Sequence, residues 1–271
     1  MHSFHQFSET GKQGISEIVL HVLNAEFNTN HATTEPFLDE LRRGKRVPFK
    51  QYRDSMVQLE QVLAKELQKN GKLEGVYGIE FPVNVRIAHA VPPKDYLKLV
   101  DATDYLHCDP WAGEPTDSIN VFSYLHTEEG CPQLQLFESI RANPAAVAYN
   151  GGYRDAPIEK EKLEEIDVPL RTDFLLVFDS FSPHRTFRKG NGVRMSVDFR
   201  LKAGDPYADI SESWMRDRIP LGKYWYLPAQ GASTFDERVS TELNTLAETF
   251  GTESRELKAR KDYIEKFFEL A

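Results

Sequence analysis

His107-Cys108-Asp109, followed far downstream by Ser182-Pro183-His184 and then by Arg194-Met195-Ser196, decides how this chain is read. On a β-strand, residues i and i+2 project from the same face. A His-x-Asp pair at a strand end therefore aims an imidazole and a carboxylate at one point. A second histidine, His184, arriving from a neighbouring strand completes two histidines and one carboxylate on one side of a metal ion, with three adjacent coordination positions left open. Ten residues past His184, Arg194 offers a guanidinium fork that matches a carboxylate, and the Ser196 hydroxyl shares its face. A His-x-Asp tripeptide alone arises by chance in many chains. The ordered set is far more specific.

The stretches around these residues read as strands. In 83–88, Val83, Val85 and Ile87 take one face and Asn84 and Arg86 the other. Further strand-like runs rich in apolar residues lie at 119–125, 133–137, 173–179 and 193–201. Gly190-Asn191-Gly192 is a hairpin signal, which would fold the strand carrying His184 directly against the strand carrying Arg194. In that last strand Met195, Val197 and Phe199 face apolar surface, while Arg194, Ser196, Asp198 and Arg200 share the other side. Arg200 either pairs with Asp198 or binds an anionic substrate, the pair being the leading expectation. Many short strands with such turns indicate a sandwich or barrel.

The flanks read differently. Ile15, Val19, Val22 and Leu23 form one helical stripe. A second, opened by Pro48 and stopped by Asn70-Gly71, carries Tyr52, Met56, Leu59, Leu63 and Leu67. Beyond 203, Trp214, Tyr224, Trp225 and Tyr226 accompany Pro206, Pro220 and Pro228. Helical spacing then returns at Phe235, Val239, Leu243 and Leu246, and at Tyr263, Phe267 and Leu270. The expected organisation is a single domain over 1–271, with a helical N-terminal region (1–75), a mostly β core at about 76–203 and a helical C-terminal region (204–271).

Composition excludes several classes. A net charge of −9 argues against a nucleic-acid binder, which needs a basic face. No apolar run is long enough for a membrane span, and the N-terminus lacks the basic and apolar regions of a signal peptide. Two cysteines, Cys108 and Cys131, are too few for a disulfide scaffold. The expectation is a cytoplasmic enzyme with a small-molecule substrate and neither nucleic-acid nor membrane partner; a homo-oligomer is left open.

Across 83–201, the pattern resembles the Fe(II)- and 2-oxoglutarate-dependent oxygenase superfamily, whose fold is the double-stranded β-helix (jelly-roll, cupin-like). The resemblance implies Fe(II), 2-oxoglutarate as co-substrate and O₂. It makes His107, Asp109 and His184 the catalytic iron ligands, and gives Arg194 and Ser196 the distal carboxylate of 2-oxoglutarate. The implied activity is a dioxygenase that oxidises a C–H bond of a small molecule, hydroxylation being the leading reaction, with release of succinate and CO₂. Relatives that halogenate have a small residue at the position of Asp109, so the retained carboxylate disfavours halogenation.

Other positions carry two readings each. Asn84 and Arg86 lie on a strand that in relatives often contacts co-substrate, though the spacing here is longer and the residue types differ. Asn120 and Tyr124 either touch co-substrate or hydrogen-bond the ligands. Trp111 and Glu114 either shape the substrate mouth or belong to a plain turn held by Gly113 and Pro115. Candidate covers for that mouth are the 111–115 loop, the basic run 42–46 and the 206–228 connection. The alternatives to the oxygenase are a metal-dependent jelly-roll enzyme that does not use 2-oxoglutarate, for which the Arg-x-Ser pair would be unnecessary, and a non-catalytic sensor module.

Overall fold

The computed structural model describes residues 2–91, 97, 102–149, 151–154, 158–204, 224–226 and 231–268. Among the described residues the strands are β1 (His2–Gln6), β2 (Gly78–Glu80), β3 (Asn84–Ala88), β4 (Ser118–Thr127), β5 (Gln133–Phe137), β6 (Glu165–Ile166), β7 (Phe174–Asp179), β8 (His184–Phe187), β9 (Arg194–Lys202) and β10 (Tyr224–Tyr226). The helices are α1 (Glu9–Phe27), α2 (Leu38–Arg42), α3 (Arg53–Lys69), α4 (Pro144–Ala148), α5 (Phe235–Phe250) and α6 (Arg255–Phe268). The chain forms two compact units. One holds residues up to Gln6, 38–45 and 85–198; the other holds 7–37, 46–84 and 199 onward.

The second unit is mainly helical. Ile15, Val19, Val22 and Leu23 of α1 are buried, as are Met56, Leu59, Leu63 and Leu67 of α3, so both stripes read from the sequence face apolar surroundings. Pro48 precedes a short 3-10 turn, and α3 itself starts at Arg53. Thr234 and Glu237 close a reciprocal capping box at the start of α5. In this unit β2 pairs with the end of β9 (Ile79↔Leu201) and with β10 (Ile79↔Trp225).

The first unit is a two-sheet sandwich of mostly antiparallel strands. One sheet runs β1-β7-β4-β9, with β3 also on β9; the other runs β6-β5-β8. Period-two alternation sends Phe122 and Tyr124 of β4, and Phe174, Leu176 and Phe178 of β7, to one interior. There they meet Leu134 and Leu136 of β5 and Ile166 of β6. Two expectations fail here. Residues 2–6, read as belonging to a helical region, form an edge strand on β7 (Phe4↔Leu176). The polar sequence hid it because pairing is made by the backbone; Phe4 contributes an edge-on contact to Phe174 at 5.4 Å.

The second correction concerns the glycine-rich turn. β8 and β9 lie in different sheets, so the turn carries the chain from one sheet to the other and does not close a hairpin. The β4–β5 connection makes the same change of sheet, and the two connections pack together. Gly192 N–H donates to Gly130 O (3.3 Å), Glu128 N–H to Val193 O (3.2 Å), and Val193 N–H to Glu128 Oε2 (2.8 Å). Gly190 has φ +85°, and a Cβ there would lie 2.8 Å from Gly130 Cα. Gly44, at φ +86°, has open space around it. Gly44→Ala should therefore lose only the left-handed backbone preference, about 1–2 kcal/mol, and Gly190→Ala a further ~1–3 kcal/mol of overpacking against a backbone. Denaturant midpoints of the two variants test this; equal losses would mean that the crossing is loosely packed.

Candidate metal centre

β8 begins at His184, and both of its edges are occupied there. One edge meets β5 (Leu136↔His184). The other meets His107 through a single antiparallel bridge, in which His107 N–H donates to His184 O (3.0 Å) and His184 N–H donates to His107 O (2.8 Å). Such directly opposed residues have Cα atoms about 5.5 Å apart and side chains on one face. The imidazoles consequently stand side by side, with ring centroids 4.3 Å apart and planes at 53°. Cys108 is extended (φ −111°, ψ 140°), so Asp109 returns to the face of His107; a 3-10 turn with Pro110 then leads the chain away.

Each imidazole is oriented from behind. His107 Nδ1 lies 2.7 Å from Tyr105 O, and His184 Nδ1 lies 3.0 Å from Ser182 O. A carbonyl only accepts, so both Nδ1 atoms carry a proton, which leaves Nε2 of each ring as the atom able to offer a lone pair. Those lone pairs face one oxygen, Asp109 Oδ1, at 3.7 and 3.6 Å. The separations are too long for hydrogen bonds. The three donor atoms lie within 4.8 Å of one another. His107 and Asp109 are each 1% exposed. Converging electron-pair donors in buried space repel one another unless a cation sits between them. Bonds of about 2.0–2.2 Å to imidazole and carboxylate are within reach of this set. Among the described residues, no other group of three His, Cys, Asp or Glu converges in this way.

The loop delivering His184 is held by Asp179, which accepts from Phe181 N–H (2.9 Å), Ser139 Oγ (2.9 Å) and Arg141 Nε (2.8 Å). Phe137 N–H also donates to Pro183 O at 2.8 Å.

Arg194 points into the sandwich. Its guanidinium carbon is 5.8 Å from the Phe122 ring centroid. Nη1 reaches Pro132 O and Nη2 reaches Thr186 Oγ1 only at 3.5 Å, and Nε has no hydrogen-bond partner. Burial lowers its pKa, with Tyr124 and Asp198 acting against that and Arg86 and Arg188 adding to it. The guanidinium remains charged at neutral pH. Ser196 Oγ and both amide atoms of Asn120 are likewise buried without a partner. Asn120 sits opposite Phe178 in the β4–β7 ladder, and the Phe178 ring lies edge-on to His184 at 5.3 Å. Tyr124 Oη accepts Leu134 N–H at 2.8 Å, and burial raises its pKa. The inner face of β4 thus passes from Asn120, beside the ligands, to Phe122 and Tyr124, beside Arg194.

Other candidates are placed elsewhere. Arg86 makes a two-pronged ion pair with Asp198 (Nη2–Oδ2 3.0 Å), and Arg200 pairs with Glu80 at 3.1 Å, so the expected Arg200–Asp198 pair does not form. Asn84 belongs to the second unit and donates to Glu80 Oε1 at 3.2 Å. Trp111 is fully buried in a cluster with Cys108, Ala146, Tyr153 and Phe181, and its indole N–H donates to Ala146 O at 2.7 Å. Glu114 is half-buried on the turn that follows. Arg42, at the head of the basic run, pairs with Glu128 and with Asp39. Of the 206–228 connection, only 224–226 is among the described residues.

Three neighbours of the site were not read from the sequence. Thr186 was accessible to the alternation argument, two residues beyond His184. Phe178 sits on a strand recognised only as apolar. Tyr153 has no spacing relation to the motif; its ring stacks on His107 at 3.7 Å, and its hydroxyl lies 3.4 Å from Asp109 Oδ1.

No family model matches this sequence, and no curated protein matches it. Among solved structures, the chain is similar to the crystal structure of the non-heme alpha ketoglutarate dependent epimerase SnoN from nogalamycin biosynthesis. Identity is 12%, coverage is 74% of this chain and 78% of that chain, and the TM-score is 0.40. Likeness at this level carries no inference about activity.

The Asp179 contacts have a pH signature. Burial raises the Asp179 carboxyl, but Arg141, the Phe181 N–H and the Ser139 hydroxyl outweigh it and hold the pKa below the ordinary carboxylate value. A carboxyl with a depressed folded pKa adds stability that is present above its unfolded value and lost as pH falls through the folded one. The stability difference between wild type and Asp179→Asn should be constant at neutral pH and shrink below about pH 4. Denaturant titrations across pH measure it; a difference that persists undiminished at pH ~3 would mean that the charge of Asp179 is not what secures the turn.

Proposed function

We propose that this chain is an Fe(II)- and 2-oxoglutarate-dependent dioxygenase built on a double-stranded β-helix. It oxidises a C–H bond of a small molecule, with hydroxylation as the leading reaction and release of succinate and CO₂. The observation that carries the proposal is an uncompensated guanidinium close to a converging three-donor set. Arg194 contacts Thr186, and Thr186 lies one strand repeat, about 7 Å, from His184. A five-carbon dicarboxylate, with four C–C bonds of ~1.5 Å end to end, suits that interval. A buried charge without its counter-ion costs several kcal/mol, and an anion beside Arg194 removes that penalty. A metal enzyme that made no use of 2-oxoglutarate would leave the guanidinium uncompensated.

In this proposal His107 Nε2, His184 Nε2 and Asp109 Oδ1 hold the iron. When bound, Fe(II) supplies the O₂ chemistry that couples decarboxylation of 2-oxoglutarate to oxidation of the substrate. Arg194 binds the distal carboxylate through its fork, and Ser196 Oγ donates a further hydrogen bond to it. Asn120, whose amide is otherwise unsatisfied, donates to the carboxylate at the metal end of the co-substrate. Phe178 and Phe122 flank the cavity and exclude water. Asp109 occupies the position a halide would need, which is why oxidation rather than halogenation is proposed. The net charge of −9 supports a small-molecule substrate over nucleic acid, and no described helix is long and apolar enough to cross a membrane. A cytoplasmic location is included in the proposal.

Addition of Fe(II) and 2-oxoglutarate under anaerobic conditions, followed by aerobic screening of small molecules for succinate release, tests this function. Substrate-dependent succinate that disappears in Asp109→Ala is expected. A hydrogen bond to a charged group contributes about 1.5–3 kcal/mol; the Arg194 fork has full charges on both partners, while the Ser196 bond, with a neutral donor, falls at or below the low end of that range. Arg194→Ala should accordingly raise the half-saturating 2-oxoglutarate concentration by roughly 10- to 100-fold and Ser196→Ala by less than about 10-fold. Small, equal effects would assign the carboxylate to another residue.

A further inference from the structure

Tyr153 reaches the metal centre from a loop that follows α4, outside the sandwich strands. The backbone there is shaped to bring it in. Gly152 has φ +91°, and its N–H donates to Trp111 O at 3.1 Å, pinning the loop to the turn that begins at Asp109. A Cβ on Gly151 would meet Tyr149 Oη at 2.6 Å. Tyr153 is 6% exposed. Its ring lies almost parallel to the His107 imidazole (centroids 3.7 Å apart, planes at 22°), and its hydroxyl donates to Asp109 Oδ1 at 3.4 Å.

We infer that Tyr153 is a positioning residue of the metal centre: its O–H keeps Asp109 Oδ1 at the convergence point of the two Nε2 lone pairs, and its ring fixes the plane of His107. The inference rests on the metal-site reading given above. Without a cation, Oδ1 faces two lone pairs at 3.6–3.7 Å, and the soft terminal torsion of an aspartate lets the carboxylate turn away. A hydrogen-bond donor on that same oxygen opposes the rotation, so the ligand set stays assembled before metal arrives. The imidazole is held at Nδ1 by Tyr105 O, and the stacked ring limits its remaining tilt. Groups that orient ligands in this way typically change metal affinity by about 10- to 100-fold. The 3.4 Å separation is long for an O–H···O bond, so loss of the hydroxyl alone belongs at the lower end of that range, about tenfold.

Co(II) titration of the whole chain, followed by visible d–d absorption, is the test, using wild type, Tyr153→Phe, Tyr153→Leu and His107→Ala. Tyr153→Phe keeps the stack and should bind Co(II) about tenfold more weakly, with a shifted band and an unchanged metal-free melting temperature. Tyr153→Leu loses both contacts and should approach a hundredfold loss. Wild-type affinity and spectrum in Tyr153→Phe would overturn the inference, as would a lowered metal-free melting temperature with an unchanged band, the mark of simple packing. A phenolate charge-transfer band in the oxidised iron form that vanishes in Tyr153→Phe would also overturn it, by making Tyr153 a ligand. If wild type takes up no Co(II), or His107→Ala takes up as much, the metal reading itself falls and the inference with it.

Discussion

The backbone bridge between His107 and His184 is the constraint on which the rest of the site depends. Two reciprocal N–H···O bonds, 3.0 and 2.8 Å, place two residues distant in sequence directly opposite one another. Their side chains must then share a face, and the i+2 rule adds Asp109 to it. The carbonyls of Tyr105 and Ser182 settle which nitrogen of each ring is protonated. Nothing in this set requires a side chain to find its position alone. Each histidine is aimed by backbone pairing and locked by a hydrogen bond at its far side, and Asp109 follows from the extended backbone at Cys108.

A second constraint is the pair of connections that change sheets. Because the β4–β5 and β8–β9 connections both cross between the sheets, the strand carrying His184 and the strand carrying Arg194 occupy opposite layers of one interior. Arg194 therefore approaches Thr186 across the sandwich instead of along a ladder. The contact of Gly130 with Gly190 lets these connections meet at backbone distance. A guanidinium faces inward from one sheet and the His184 end of the donor set faces inward from the other, an opposition that a flat hairpin would not give.

Much of this was legible in the sequence, for reasons that differ by element. The apolar stripes of α1 and α3 and the alternation of Met195, Val197 and Phe199 along β9 are local patterns, and those residues are buried. His107 and Asp109 share a face by alternation, which the sequence carries, and His184 was joined to them through the family pattern; the bridge that sets His184 opposite His107 is supplied by the fold. What was not legible depends on long-range choices. No local pattern says whether Gly190-Asn191-Gly192 closes a hairpin or crosses between sheets, because either turn needs glycine. β1 joins its sheet through backbone groups that every residue possesses. Asp198 had two arginines in reach by alternation and pairing, and only the fold decides for Arg86 over Arg200. Tyr153 arrives from an irregular loop with no periodicity to betray it.

The central claim is that the three-donor set and Arg194 grip the two ends of one molecule. Equilibrium binding of 2-oxoglutarate and of glutarate, which lacks the 2-oxo group, to Mn(II)-loaded and metal-free protein under anaerobic conditions tests it most directly. Coupling is expected: metal should tighten 2-oxoglutarate much more than glutarate, and Arg194→Ala should weaken both ligands. Equal affinity for 2-oxoglutarate with and without Mn(II), or binding indifferent to Arg194, would contradict the claim.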